Sequence, residues 1–225
     1  MTLKEPTDAF IQKTLRDYER IEGDELNNKL QKLFNDFNDE NNKFDVLIKV
    51  AALNKIYSTA ITNIIPIVEQ INKVANLNGN LDSVDCFINL VDKISKTEWT
   101  NDRNKCYKRN NLSFASKYVH FLSDKEIPIY DSYIWIVIKG YLGQKDQEKT
   151  SFAPPKNYQE FYLTFCRFKS IFGLESYSNY KVDKFLWTYG RNLITKIEVD
   201  LKLDLERAKS VLKKRLKNNR SSHKL

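Results

Sequence analysis

The segment SFASKYVHFLSDKEIPIYDSYIW, residues 113–135, sets one lysine, Lys117, on a helix whose other residues are mostly apolar or aromatic. On a helical wheel, Phe114, Ala115, Tyr118, Val119, Phe121 and Leu122 fill one arc. Lys117 falls at the edge of that arc beside Phe121, with His120 one step further toward the polar side. A lysine at such a rim loses part of its hydration, which favours the neutral amine and makes it a nucleophile. The opposing reading is a lysine that lays its stem on the apolar face and keeps its charge in water. Fourteen residues later, Asp131 follows a Pro-Ile-Tyr turn and precedes a second apolar helix. There it is a good helix cap, and the helix dipole helps keep its carboxylate ionised for chemistry. The short turn SDKEIPIY folds the second helix back, a topology that allows an amine and a carboxylate to serve one substrate.

The elements that must position these two residues are helical. Residues 7–21 place Ala9, Phe10, Leu15, Tyr18 and Ile21 mostly at three- and four-residue steps, with Asp8 as the cap candidate. DELNNKLQKLFNDF is a second amphipathic segment, and FDVLIKVAALNKIYSTAITNIIPIVEQI is more apolar, so it belongs in the core. The latter breaks around Ser58 and Thr59, with Pro66 either kinking its second piece or sitting in the first turns. LDSVDCFINLVDKI reads as a helix opened by Asp82 or Ser83, and SKTEWTNDRNKCYKRNN as a polar interval. After the loop GQKDQEKTSFAPPKN come three more helical stretches, ending in EVDLKLDLERAKSVLKKRLKNN. No strand-like alternation is sustained, so the expected fold is all-α, a two-lobed helical bundle. The expected parts are N-terminal helices at 1–44, a helical domain at 45–195 and a charged helix with a basic tail at 196–225.

Composition narrows the chemistry. The apolar share of 41% and charged share of 29% are those of an ordinary globular chain, and the longest apolar run, YIWIVI, is too short to span a bilayer. With no apolar signal core near Met1, the expected location is cytoplasmic, with no membrane partner. Cys86, Cys106 and Cys166 are scattered and the two histidines are His120 and His223, so neither a disulfide framework nor a metal site is expected. No cofactor is called for, and the sequence leaves the oligomeric state open. The net charge of +8 is concentrated at one end: beyond Glu206 there are eight basic residues and no acidic one. Removing those eight from the 37 leaves 29 basic against 29 acidic residues. Lys213, Lys214 and Arg215 are therefore candidate phosphate contacts, and a solvated, fraying terminus is the even alternative. Arg103, Lys105, Lys108 and Arg109, just before the Lys117 helix, are a second candidate patch, against a solvated loop.

At Lys117 and Asp131 the sequence resembles the helix-hairpin-helix DNA glycosylases, above all the 8-oxoguanine branch and its bacterial relatives. LSFASK, ending at Lys117, is similar to the hairpin that presents the family's lysine, and IPIYDSYIW to the stretch that supplies its aspartate. VDKFLWTYGR, residues 182–191, is similar to a closing helix, and LNKIYSTAITN, residues 53–63, to the helices that wall the base pocket. The resemblance implies a nucleotide turned out of its stack, Asp131 stabilising the cationic sugar, and Lys117 forming a Schiff base that permits strand scission. It further implies nucleic acid as partner, DNA in first place, or a nucleotide, with His120, Tyr57 and Ser58 as supporting groups. The bland readings are a helix-surface histidine, a helix end with a packed tyrosine, a core role for Phe185 and Trp187, and a first-turn charge for Asp183. The sequence departs from the family at NNLSFAS, where the glycine-rich hairpin that approaches a duplex phosphate is missing. Two other readings stand beside the glycosylase: a nucleosidase acting on a nucleotide or RNA, and a binding module without catalysis, as in a bacterial defence system.

Overall fold

The computed structural model describes residues 1–21, 23–59, 61–75, 83–100, 103–146 and 151–217. Among them are ten α-helices and one two-stranded antiparallel sheet, so the fold is all-α. Asp82, residues 147–150, Arg220, His223 and Lys224 lie outside the described residues.

The chain divides into two compact units whose boundaries do not fall at residues 44 and 195: 24–130 with 156–162, and 1–23 with 131–155 and 163–225. In the first unit the order is α2 (Gly23–Asp36), α3 (Lys43–Ile56), α4 (Ile65–Ala75), α5 (Val84–Ser95), β1 (Lys96–Thr100), β2 (Cys106–Asn110) and α6 (Leu112–Leu122). Asn42 caps α3 by accepting the Phe44 N–H at 2.9 Å, and Ser83 caps α5 by accepting that of Cys86 at 3.3 Å. Pro66 sits in the first turn of α4, where its missing N–H costs nothing. Helix α6 packs against α5 and α3, and Phe34 of α2 adds ring contacts to Tyr118 and Phe121. As a result, nine of the eleven residues of α6 are buried.

The second unit holds α1 (Asp8–Glu19), α7 (Ser132–Asp146), α9 (Asn179–Leu201) and α10 (Leu205–Lys217). Thr7, rather than Asp8, caps α1. Helix α8 (Tyr158–Ile171) contributes residues up to 162 to the first unit and the rest to the second. Helix α9 is the axis on which α1, α7 and α10 pack. Gly190 allows α7 to come close, since a Cβ there would meet the Tyr133 carbonyl oxygen at 3.1 Å.

One expectation is corrected here. The polar interval after α5 is a hairpin in register, with Lys96 opposite Asn110 and Trp99 opposite Tyr107. Its strands escape a search for apolar alternation because only Thr97 is buried in β1 and no residue is in β2. The charged C-terminal stretch read as helical is a helix as far as Lys217, with Ala208, Leu212 and Leu216 recurring at helical spacing and buried.

Candidate active site around Lys117

Lys117 lies in the middle of α6 and is 4% exposed. This corrects the rim position read from the wheel: nine of the eleven residues of α6 are buried, Lys117 among them. Its amine donates to the Ser113 hydroxyl at 2.7 Å and to the Ser113 carbonyl at 3.3 Å, one turn back. It also stands 5.4 Å from the centre of the Tyr57 ring, within cation–π range. Tyr57 closes the C-terminus of α3, and its hydroxyl donates to the buried amide oxygen of Asn27 at 2.8 Å. Asn27, Tyr57, Lys117 and Ser113 thus form one contiguous polar group inside the first unit.

Ser58 follows Tyr57 with φ of 47°, a left-handed conformation that a serine adopts only when its surroundings hold it there. Asn54 supplies part of that hold. Its oxygen accepts from the Thr59 hydroxyl at 2.7 Å and the Ile61 N–H at 3.2 Å, while its amide donates to the Ile61 carbonyl at 2.9 Å. The structure therefore brings Tyr57 to Lys117 and braces the turn that carries Ser58.

His120 is fully buried rather than partly exposed, because it lies on the same enclosed helix. Its Nδ1 meets the Ile127 carbonyl at 2.5 Å and fastens the turn after α6. Asp131 is half-buried and opens a segment of the second unit. Its carboxylate accepts the Tyr133 N–H at 2.7 Å and its carbonyl accepts that of Trp135 at 2.9 Å, the bonds of a residue starting a helix. Arg103 and Lys105 lie before β2, and Lys108 and Arg109 within it; all four are exposed. Lys108 pairs with Glu98 at 2.8 Å. Lys213 is half-buried and Lys214 and Arg215 are exposed on α10.

Sequence reasoning missed a buried ionic cluster in the first unit. Lys49, fully buried, pairs with Glu40, which also accepts from the Tyr118 hydroxyl. Burial, and then the Glu40 charge, hold the Tyr118 phenol well above its ordinary value, so it stays a donor. Asn38, Asn41, Glu40, Tyr118, Ile94 and Leu122 help line a cavity of about 240 Å³. A signal was available: Val46, Lys49, Val50 and Leu53 share one face of α3, so Lys49 is a single charge in an apolar stripe. In the second unit, Asp183 is 1% exposed and lies 3.3 Å from the buried Lys184; α9 starts at Asn179, so Asp183 stands beyond its first turn, which corrects the first-turn charge read from the sequence. Phe185 is buried in the core, and half-buried Trp187 packs edge-on to Tyr18 and Tyr133. Among the described residues, no three His, Cys, Asp or Glu side chains are grouped to hold a metal ion. Among the same residues, no helix is long and apolar enough to cross a membrane.

A family model with the description "HI_0787_N: N-terminal domain" matches residues 10–126. No curated protein and no solved structure matches the chain. The match spans just over half of the 225 residues and takes in Tyr57 and Lys117 but not Asp131. The chain belongs to this family.

Proposed function

We propose that this member of the HI_0787_N family is a lysine-dependent N-glycosylase and lyase that acts on a modified base in nucleic acid, with Lys117 as its nucleophile. The observation that carries the reading is the amine of Lys117, shielded from water, fixed by the Ser113 hydroxyl and placed over the Tyr57 ring. An amine held in one position gives up little freedom on attack and is already stripped of most of its hydration. In the proposed step the Lys117 nitrogen bonds to the sugar C1′ and the glycosidic bond breaks, with its electron pair leaving on the base, which takes up a proton. A proton passes from that nitrogen to O4′ as the sugar ring opens to the protonated C1′ Schiff base, and loss of a C2′ proton then expels the phosphate oxygen from C3′. The sequence resemblance assigns Asp131 the stabilisation of positive charge on the sugar. The chemistry needs no metal or cofactor, and a cytoplasmic location follows from the same reading.

The test is product analysis on single- and double-stranded oligonucleotides bearing 8-oxoguanine or an abasic site. Released base and a nicked strand with the wild type, and neither with Lys117→Gln, support the reading. Equal products from both proteins reject it. The exposed cations on β2 and α10 favour a second reading, a nucleic-acid-binding module without catalysis. Retained binding with no product from any substrate supports that alternative.

A further inference from the structure

The β1–β2 hairpin has a feature that the lysine chemistry does not use. Antiparallel pairing sets Trp99 opposite Tyr107 and Thr97 opposite Arg109, so these four side chains share one face. The Trp99 and Tyr107 rings stack with centroids 5.2 Å apart and planes 12° from parallel. Arg109 lies 5.9 Å from the Trp99 ring and Lys105 lies 5.3 Å from the Tyr107 ring. The outcome is a row of cation, ring, ring and cation. Both rings are half-exposed and both cations are exposed. Trp99, Arg109 and Asn111 also line a slot of about 60 Å³ together with Ile61 and Pro66.

Charge points to one kind of occupant. Residues 96–110 hold five cations (Lys96, Arg103, Lys105, Lys108 and Arg109) against Glu98 and Asp102. Apart from its C-terminal stretch the chain is nearly neutral, so this hairpin is a local positive feature. A cross-strand aromatic pair stabilises a hairpin, but that role does not require a cation over each ring. An unpaired nucleic-acid strand meets both features: its phosphates suit the cations, and its base faces stack on aromatic rings or on a guanidinium plane. A duplex keeps its base faces in the stack and offers the hairpin phosphates alone.

We propose that the β1–β2 hairpin is a contact site for single-stranded nucleic acid, with Lys105 and Arg109 on the phosphates and Trp99 and Tyr107 stacking the bases. The inference deepens the nucleic-acid reading by naming the strand type, and rests on it for the class of partner alone.

The experiment is fluorescence anisotropy of the full chain with labelled oligo-dT, oligo-U and a duplex of equal length, at two salt concentrations. The wild type is compared with Lys105→Gln/Arg109→Gln, Trp99→Leu and Trp99→Tyr, and the melting temperature of each is recorded. Single strands are expected to bind more tightly than the duplex. The charge variant weakens binding and flattens the salt dependence, by about 0.7 in logarithmic slope for each phosphate that is no longer neutralised. Trp99→Leu weakens binding about 5- to 150-fold at unchanged slope, and Trp99→Tyr restores most of it. The dT and U arms separate DNA from RNA. Duplex bound as tightly as single strand, no binding to any oligonucleotide, or wild-type binding by the exposed charge variant overturns the proposal, whatever becomes of Trp99→Leu. Loss of all binding in Lys213→Gln/Lys214→Gln/Arg215→Gln overturns it too, by assigning the binding to α10. Neither result depends on chemistry at Lys117, so this proposal and the lysine reading can fail separately.

Discussion

The Lys117 amine sits 5.4 Å from the centre of the Tyr57 ring while donating to the Ser113 hydroxyl at 2.7 Å. Tyr57 in turn is anchored through its own hydroxyl to Asn27. Helix α6 thus carries a lysine whose place is set by the end of α3 and by α2, all within one unit. Each partner contributes something different, which substitutions can separate.

Tyr57→Phe keeps the ring beside Lys117 and deletes the bond to Asn27. Its expected cost is about 1 kcal/mol of stability, measured by urea unfolding, with turnover retained. Tyr57→Leu removes the ring as well and forfeits roughly 0.5–2 kcal/mol of cation–π interaction. A fall in turnover with Leu but not with Phe places the ring in the site, and equal falls argue against that.

Asp131 has a cap role and a proposed charge role. Asp131→Asn preserves the cap, since asparagine accepts the Tyr133 N–H as well, whereas Asp131→Ala costs about 1 kcal/mol. The expected pattern is a near-normal melting temperature with greatly slowed base release for Asn. Full activity in the Asn variant removes the carboxylate from the mechanism.

The Glu40–Lys49 pair is structural, and its two halves are unequal. Glu40→Gln leaves the fully buried Lys49 without its carboxylate, an expected loss of about 3–5 kcal/mol. Adding Lys49→Met removes the stranded charge and is expected to recover much of that loss. Denaturant unfolding of both variants checks the coupling, and additive losses would contradict it.

Alkaline stability follows from the buried phenols. Burial, then the Glu40 carboxylate, raise Tyr118 well above its usual value, and burial raises Tyr141 strongly. An unfolded tyrosine ionises near about 10, so above that pH the unfolded chain releases protons that the folded chain retains. Their contribution is complete below about pH 10 and declines as pH rises, by roughly 1.4 kcal/mol per pH unit for each such tyrosine. Tyr118→Phe is expected to lose less melting temperature between pH 9 and pH 11 than the wild type. An identical drop in both would refute the assignment.

The helices were legible because apolar residues at three- and four-residue steps report burial directly, as Ala208, Leu212 and Leu216 do. The β hairpin was not, since its stability lies in the cross-strand pair of Trp99 with Tyr107, a relation set by register rather than by alternation. Lys117 and Tyr57 could each be named from the sequence. Their meeting could not, because it depends on how α3 and α6 pack. A wheel assigns each helix one apolar face and one wet face, and α6 has almost no wet face. That is why the depth of both Lys117 and His120 was misjudged. Glu40 and Lys49 escaped for a related reason: their pairing joins the loop before α3 to that helix's buried side.

Borohydride trapping tests the central claim most directly. The full chain is incubated with borohydride and oligonucleotides carrying 8-oxoguanine or an abasic site, and any covalent adduct is mapped by peptide mass. Reduction of a C1′ Schiff base leaves a stable secondary amine, so the expected result is one adduct, located at Lys117 and absent from Lys117→Gln. No adduct on any substrate, or an adduct that persists in Lys117→Gln, would contradict the assignment of Lys117 as the nucleophile.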